Sequence, residues 1–321
     1  MIHIVFDANN LCIRCDMTSE LYTRTGERTS AIMGAISSAH AVIEQLNDQY
    51  RSAGHQVCEV IFAWDKGHSD RRKKVFPEYK ANRHKTGRTE EEQKRFKELI
   101  TQMNILYDNL HLFGVKCIRK DGWEGDDLIY GVCKSLTQRY PDDLIFIVST
   151  DEDFHQLVQG NVGIYSPIKK VFYTSDNYKE MTGIDQNLFL TYKLLKGDSS
   201  DGIPGIEGIG DKTAKSLVNT YGDLGELLNH KDELMKSKRT ARIFTPEGLE
   251  TLDRNNQLIN LADFVDLTPV EDDINTLLDE VPFVDEKAAN KFLMQWQLMS
   301  ILEKGDTWMK TFRWVEESFP E

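Results

Sequence analysis

Apolar residues along this chain follow two rhythms. Residues 2–6, 60–64 and 144–148 are short runs, apolar at almost every position and rich in β-branched side chains, which predicts strands buried on both faces. Between the first two, Ile32, Ile36, Ala39, Ile43 and Leu46 recur at helical spacing, so residues 31–46 are expected to form a crossover helix. Strand, helix, strand alternation implies a parallel sheet. The same spacing recurs in Leu128, Ile129, Val132, Cys133 and Leu136, and in Phe96, Leu99, Ile100, Met103, Leu106, Tyr107 and Leu110. The second of these helices opens on a Thr89/Glu92 capping box and ends near Gly114. Residues 186–196 predict another helix, and a further one starts at Asp211. The expected fold is therefore α/β, a mainly parallel central sheet flanked by helices, with an α/β core over residues 1–185 and a helical region over 186–321. Past Leu227 the pattern stays helical without pointing to chemistry. Residues 288–302 read as an amphipathic packing helix around Phe292, Trp296 and Met299, and the tail 308–321 mixes aromatics with acids.

Polar positions matter most where the apolar runs stop. Asp7 and Asp65 directly follow the first two strands, and Asp151 and Asp153 follow the third. Glu124, Asp126 and Asp127 fall in the first turn of the next helix, and Asp198 and Asp201 lie at helix-like spacing further on. Acids are common at helix starts and in turns for structural reasons alone. Three strands ending in the same way go beyond turn chemistry, because ligands of parallel sheets bind beyond the carboxyl ends of the strands.

Composition adds a soluble globular character and a formal net charge of -13. An acid as early as Asp7 argues against a signal peptide, and no apolar run is long enough for a bilayer, so a cytoplasmic protein with no membrane partner is expected. Five cysteines include one C-x-x-C pair, without the second pair or histidines of a zinc site. The charge is unevenly spread: residues 71–88 carry eight Lys or Arg against the single acid Glu78, with Phe76 and Tyr79 interleaved. Most basic runs are solvated faces. This one follows a strand-end Asp and carries aromatics, which favours a phosphate-gripping loop with Tyr79 stacking on a base. The run 205–210, Gly-Ile-Glu-Gly-Ile-Gly, precedes a helix with Lys212, Thr213 and Lys215 in its first turns. Backbone amides exposed there, at Gly208 and Gly210, make a phosphate site without base readout.

Nine carboxylates aimed at one pocket demand neutralisation. Two like charges about 5 Å apart repel by roughly 3 kcal/mol even at an effective dielectric near 20. Such a cluster either holds protons or binds cations, and an all-oxygen donor set favours Mg²⁺ or Mn²⁺. Two such ions suit phosphodiester hydrolysis.

The motifs FDANN, FAWDKG, FPEYKANR, WEGDDLI, STDEDF and GDSSDGIPGIEGIGDKTA, in this order over roughly residues 1–225, resemble the 5' nuclease family. That family comprises flap endonucleases, the nuclease domain of bacterial DNA polymerase I, stand-alone phage 5'-3' exonucleases and phage ribonuclease H, and the chain length suits the phage type. The resemblance implies a metal-dependent hydrolase acting on 5' ends and branched DNA or RNA–DNA, and removing RNA primers. It implies Asp7, Asp65, Glu124, Asp126, Asp127 and Asp151 as ligands of a first Mg²⁺, and Asp153, Asp198 and Asp201 as the second set, with Mn²⁺ able to substitute. It further implies Lys80 on the scissile phosphate, Tyr79 as its stacking neighbour, Arg72 and Arg83 on phosphates, and Lys193 as a second active-site lysine. Residues 66–113 would form a helical arch, and the Gly-rich turn a helix-hairpin-helix, where K⁺ is a further candidate ion. Gly202 departs from the Asn of many relatives. A monomer is expected, with a single-strand DNA-binding protein or a sliding clamp as candidate partners that no motif specifies. Alternatives are a PIN-type ribonuclease, which has fewer acids and no hairpin, a Mg²⁺-dependent phosphatase, which needs D-x-D after the first strand, and a non-catalytic DNA-structure binder.

Overall fold

The first strand, β1 (Ile2–Asp7), lies in the middle of a six-stranded sheet because every one of its residues is buried and both its edges are paired. The computed structural model describes residues 1–67, 69–81 and 89–312. β2 (Val57–Trp64) flanks β1 on one side and β4 (Leu144–Val148) on the other, both parallel to it. β3 (Lys116–Arg119) extends the sheet beyond β2, β5 (Val162–Ser166) beyond β4, and only β6 (Val171–Tyr173) runs antiparallel, giving the order β3-β2-β1-β4-β5-β6. The chain therefore builds outward from β1 in one direction and then returns to build in the other. The crevice where the direction reverses opens beyond the carboxyl ends of β1 and β4.

Strand alternation divides the interior into two apolar clusters. Val5, Ile61, Ala63, Ile145 and Ile147 face one layer, which holds α5 (Gly125–Arg139) and most helices after residue 184. Ile4, Phe6, Val60, Phe62, Phe146 and Val148 face the other, with α1 (Ala8–Thr18), α2 (Ser30–Tyr50) and α4 (Glu90–Asn109). Each such fully buried side chain contributes roughly 1.5–3 kcal/mol. The expected capping box is present, with Thr89 Oγ1 and the Glu92 carboxylate exchanging bonds with each other's amides. α4 does not project along its whole length: Leu99, Met103 and Leu106 are buried against the core, and Arg95 Nε reaches Asp16 Oδ2 at 2.9 Å. Only its first turns and α3 (Asp70–Val75) belong to the expected arch, and residues 82–88, with Arg83, lie outside the described residues.

After α6 (Tyr178–Thr182), α7 (Phe189–Lys196) leads into a two-residue hairpin, β7 (Gly197–Asp198) and β8 (Ile203–Pro204), and then α8 (Asp211–Tyr221). Asp198 and Asp201 thus sit on a strand and its turn, not on a helix as their spacing suggests. The cause is Gly197, whose φ of +76° breaks α7. The remaining helices are α9 (Leu224–Asn229), α10 (Lys231–Leu234), α11 (Pro246–Ile259), α12 (Leu261–Phe264), α13 (Glu271–Asp279), α14 (Glu286–Gln295), α15 (Met299–Leu302) and α16 (Gly305–Met309). The single helix expected over 288–302 is split: Gln297 takes φ +55° between α14 and α15, and Met299 is exposed instead of packed. Trp308 and Phe312 are buried in the α2 layer, with Trp308 stacked on His40 at 4.7 Å, while 313–321 lie outside the described residues. Among the described residues no helix is long and apolar enough to cross a membrane.

At the amino ends of the strands, His3 is buried with Nδ1 2.7 Å from Glu59 Oε2 and Nε2 3.2 Å from Asp143 Oδ2. Two carboxylate partners require both ring nitrogens to carry protons. Burial alone would lower the pKa of His3, but bonding to Cys58 and Glu59 prevails and raises it to about 10. Because the folded value lies above the unfolded one, the stabilisation is complete below about pH 6.5 and is lost as pH rises through about 10. Stability measured by denaturant is expected to fall between pH 7 and 10, and His3→Gln is expected to cost roughly 3 kcal/mol at pH 7 while flattening that slope. A second expectation concerns Gly205, where an added Cβ would stand 2.2 Å from the Lys196 carbonyl oxygen. Since the obstacle is backbone, Gly205→Ala should destabilise by roughly 3 kcal/mol and disrupt the β7–β8 hairpin, read by thermal unfolding and by exchange of the Ile206 amide.

Candidate active site

Strand ends, one helix start and the β7–β8 turn bring the predicted acids together at the crevice. Asp7 ends β1 and caps α1, accepting from the Asn10 amide at 3.1 Å and from Ser149 Oγ at 2.9 Å. Asp65 follows β2 and accepts from the Gly125 amide at 2.5 Å, which ties it to the start of α5. Glu124 is the residue before that helix, and Asp126 and Asp127 are in its first turn. Asp151 accepts from the Asp153 amide at 2.9 Å, opening a short 3-10 turn over Glu152–Leu157. Asp198 is held by Ser200, whose amide and hydroxyl donate to Oδ1 at 2.8 and 2.6 Å.

Three cations, Arg72 and Lys193 buried and Lys80 half-buried, partition these acids. Lys193, on α7, places Nζ 2.7 Å from Asp153 Oδ1 and 2.5 Å from Asp198 Oδ2. Lys80 donates to Glu124 Oε1 at 2.9 Å and stands 3.8 Å from Asp201 Oδ2. Arg72 forks onto Asp127, at 2.9 and 2.6 Å, and onto Glu124 Oε2 at 2.7 Å. Charges respond accordingly. Burial would raise Glu124 and Asp198, yet Arg72 and Lys80 hold the first, and Lys193 the second, below the usual carboxylate range. Burial, reinforced by Asp65, pushes Asp7 up to about 7. Asp153 is also raised to about 7, by burial that outweighs Lys193, with Asp151 and Asp198 adding to it. Asp126 and Asp151 are pushed up as well, both mainly by burial, Asp126 then by Asp151 and Asp151 by Asp201.

This surplus of negative charge, on oxygen donors alone, fits hard divalent cations. Asp7, Asp65, Asp126 and Asp151 lie near enough to act on one another's charge, Asp153 and Asp198 share Lys193, and Asp201 faces Lys80 and Tyr79 beside Glu124. As the side chains lie, with lysines inserted among them, no three such groups among the described residues close around a point as an ion would require. Asp153 Oδ1 is buried and pairs with Lys193 without hydrogen-bonding geometry, so it keeps an acceptor direction open.

Three expectations change. Tyr79 is not an exposed stacking surface: it is buried, with its hydroxyl 3.0 Å from both Glu124 Oε2 and Asp201 Oδ2. Arg72 is buried too and is spent on carboxylates, so it is no phosphate contact here. Asp127, with both oxygens taken by Arg72, is its structural counter-ion and not a metal ligand in this arrangement. Arg72 on α3 and Tyr79 in the turn after it, both expected to face nucleic acid, are instead laid against Glu124 and Asp127 at the start of α5, where they cover the acid cluster. Lys80 makes the corner. Its φ of +57° is left-handed, a costly conformation for a residue with a side chain, and its amide donates to the Asp201 carbonyl at 2.8 Å.

Gly208, with φ +81°, and Gly210 are exposed, Gly210 caps α8, and Lys212 is exposed beside half-buried Thr213 and Lys215. Two arginines went unnoticed. Arg239 Nη1 comes within 3.5 Å of Thr213 Oγ1, and Arg242 pairs with Glu207 at 2.6 Å. Their only signal was the basic run at 236–242, 30 residues beyond the hairpin and easily taken for a solvated face.

Residues 3–183 match the family model for the 5'-3' exonuclease N-terminal resolvase-like domain, and residues 184–280 that for the 5'-3' exonuclease C-terminal SAM fold. A 5'-3' exonuclease of Aquifex aeolicus is 25% identical over 91% of this chain and 90% of its own. DNA polymerase I of Caldicellulosiruptor bescii is 30% identical over 74% of this chain, which spans only 26% of that protein. In fold, the bacteriophage T5 flap endonuclease, solved with DNA and metal ions, aligns with a TM-score of 0.69 at 23% identity, covering 87% of this chain and all of the other. With both halves matched in order from residue 3 to residue 280, the chain belongs to the 5'-3' exonuclease family.

Proposed function

We propose that this chain is a structure-specific 5' nuclease, hydrolysing phosphodiester bonds near 5' ends and junctions of DNA or RNA–DNA and removing primers and flaps during replication. The observation that carries this reading is the gathering of acids from β1, β2, β4, α5 and the β7–β8 turn at one crevice, beside two lysines. Asp7, Asp65, Glu124, Asp126 and Asp151 would hold one Mg²⁺, and Asp153, Asp198 and Asp201 a second, with Mn²⁺ as substitute. When bound, such ions supply Lewis acidity toward the attacking water and the leaving oxygen. The chain's own part is positioning. Lys80, on its left-handed corner at the arch base, is aimed to exchange Glu124 for a non-bridging phosphate oxygen, and Lys193 keeps Asp198 ionised while bridging it to Asp153. Amides at Gly208 and Gly210 with Lys212, Thr213, Lys215 and Arg239 would grip duplex phosphates away from the cut, with K⁺ at the same turn.

Cleavage of a 5'-labelled flapped duplex with and without Mg²⁺ tests this directly. Released flap or short 5' products only with Mg²⁺ are expected, and binding without any cleavage would overturn the reading. Asp153→Asn and Asp201→Asn should each abolish cleavage and retain duplex binding within a few-fold. Lys80→Ala is expected to slow single-turnover cleavage by about 100-fold. Tyr79→Phe, which keeps the ring and loses the hydroxyl, should also slow the chemical step, and a variant as fast as wild type would restore the stacking role to Tyr79.

A further inference from the structure

The helices beyond residue 227 carry no motif, yet one of them fastens every movable part of the acid cluster. α11 sends Arg254 and Asn255 toward the β7–β8 hairpin, and its last turn toward α3 and the Asp153 loop. Asn255 is completely buried. Its Nδ2 donates to the Leu194 carbonyl of α7 and to the Pro204 carbonyl of β8, each at 3.0 Å. Its Oδ1 accepts from Arg254 Nε and Nη2 at 3.2 and 2.9 Å, and Arg254 Nη2 also reaches the Pro204 carbonyl at 2.9 Å. Three of the last four carbonyls of α7 are thereby engaged: that of Lys193 takes the Gly197 amide, that of Leu194 takes Asn255, and that of Leu195 takes the Ile206 amide. Helix α7 carries Lys193, and the loop between β7 and β8 carries Asp198 and Asp201. Asn255 therefore sets the distance between the lysine and the acids it neutralises.

The far end of α11 completes the frame. The carbonyls of Gln257 and Leu258 accept from Arg71 Nη1 at 2.9 Å and Arg72 Nε at 3.1 Å, and that of Ile259 accepts from Gln156 Nε2 at 3.1 Å. Gln156 Nε2 also donates to the Asp153 carbonyl at 2.8 Å. We propose that Asn255, backed by Arg254, is a positioning residue for the second carboxylate set, holding Lys193, Asp198 and Asp201 in the spacing that takes up a divalent cation. This rests on the nuclease reading above.

The test is titration calorimetry with Mn²⁺ alone, alongside single-turnover cleavage and duplex affinity, at a temperature where all proteins are folded. Asn255→Ala should weaken the second Mn²⁺ binding step by about 10-fold and slow cleavage by about 10- to 100-fold, the range found when partners behind metal ligands are removed. Duplex affinity without divalent ions should change less than about twofold, and raised Mn²⁺ should restore part of the rate. A lowered melting temperature with Mn²⁺ binding and rate unchanged would overturn the proposal and leave Asn255 a packing residue. If Asn255→Ala does not fold, Arg254→Met removes one support from the same carbonyl and should move Mn²⁺ affinity in the same direction, and no change there overturns the proposal equally. A wild-type protein that takes up no Mn²⁺ would instead remove the metal reading beneath it.

Discussion

Charge balance in the crevice is the constraint on which the rest of the molecule depends. Burying several carboxylates in a small volume is unfavourable unless cations are buried with them, and removing one partner of such a pair typically costs about 3–5 kcal/mol. Arg72, Lys80 and Lys193 come from three different segments, α3, the turn after it and α7. Each has to be delivered to the acids by its own backbone, so the demand for neutrality dictates how α3 folds over α5 and how α7 meets the sheet. The neutralisation is incomplete by design of the geometry: Glu124 and Asp198 are held ionised, while Asp7, Asp126, Asp151 and Asp153 are pushed toward the neutral form.

That incomplete balance explains why the same residues read differently from sequence and in three dimensions. A basic run with aromatics looks like a nucleic-acid surface, since sequence reports charge but not direction. In the fold, Arg72 and Tyr79 turn inward to serve the acids, and only the segment nearest Lys80 remains at the mouth of the site. The three central strands, by contrast, were legible, apart from the first three residues of β2, because strands buried on both faces leave a nearly uninterrupted apolar signature and end close to their acids. β3, β5 and β6 escaped notice for other reasons: β3 and β5 mix Lys, Arg, Gly and Ser with apolar residues, and β6 is an edge strand of only three residues, Val171–Tyr173.

What pattern alone could not reveal is support exerted through backbone carbonyls. Asn255 and Gln156 act on main-chain oxygens of distant segments, and a carbonyl has no sequence identity to match against. In the polar run Asp253–Gln257 of α11 only Asp253 is exposed, and Asn255 is completely buried. Gly205 and Gly197 could be recognised as turn glycines, but not as the points where two backbones touch.

The layer beneath β1 also has a temporal meaning. Ile2 and Ile4 share one apolar cluster with Phe292, Trp308 and Phe312, which lie far along the chain from them. Contacts so distant along the chain close late, since loop entropy must be overcome before they form. During synthesis the carboxyl-terminal half of the crevice frame, α11 included, emerges before α14 to α16 seal the opposite layer. The acids would therefore be gathered on a sheet whose other face already carries α1, α2 and α4, and α14 to α16 complete that layer as a late step of folding.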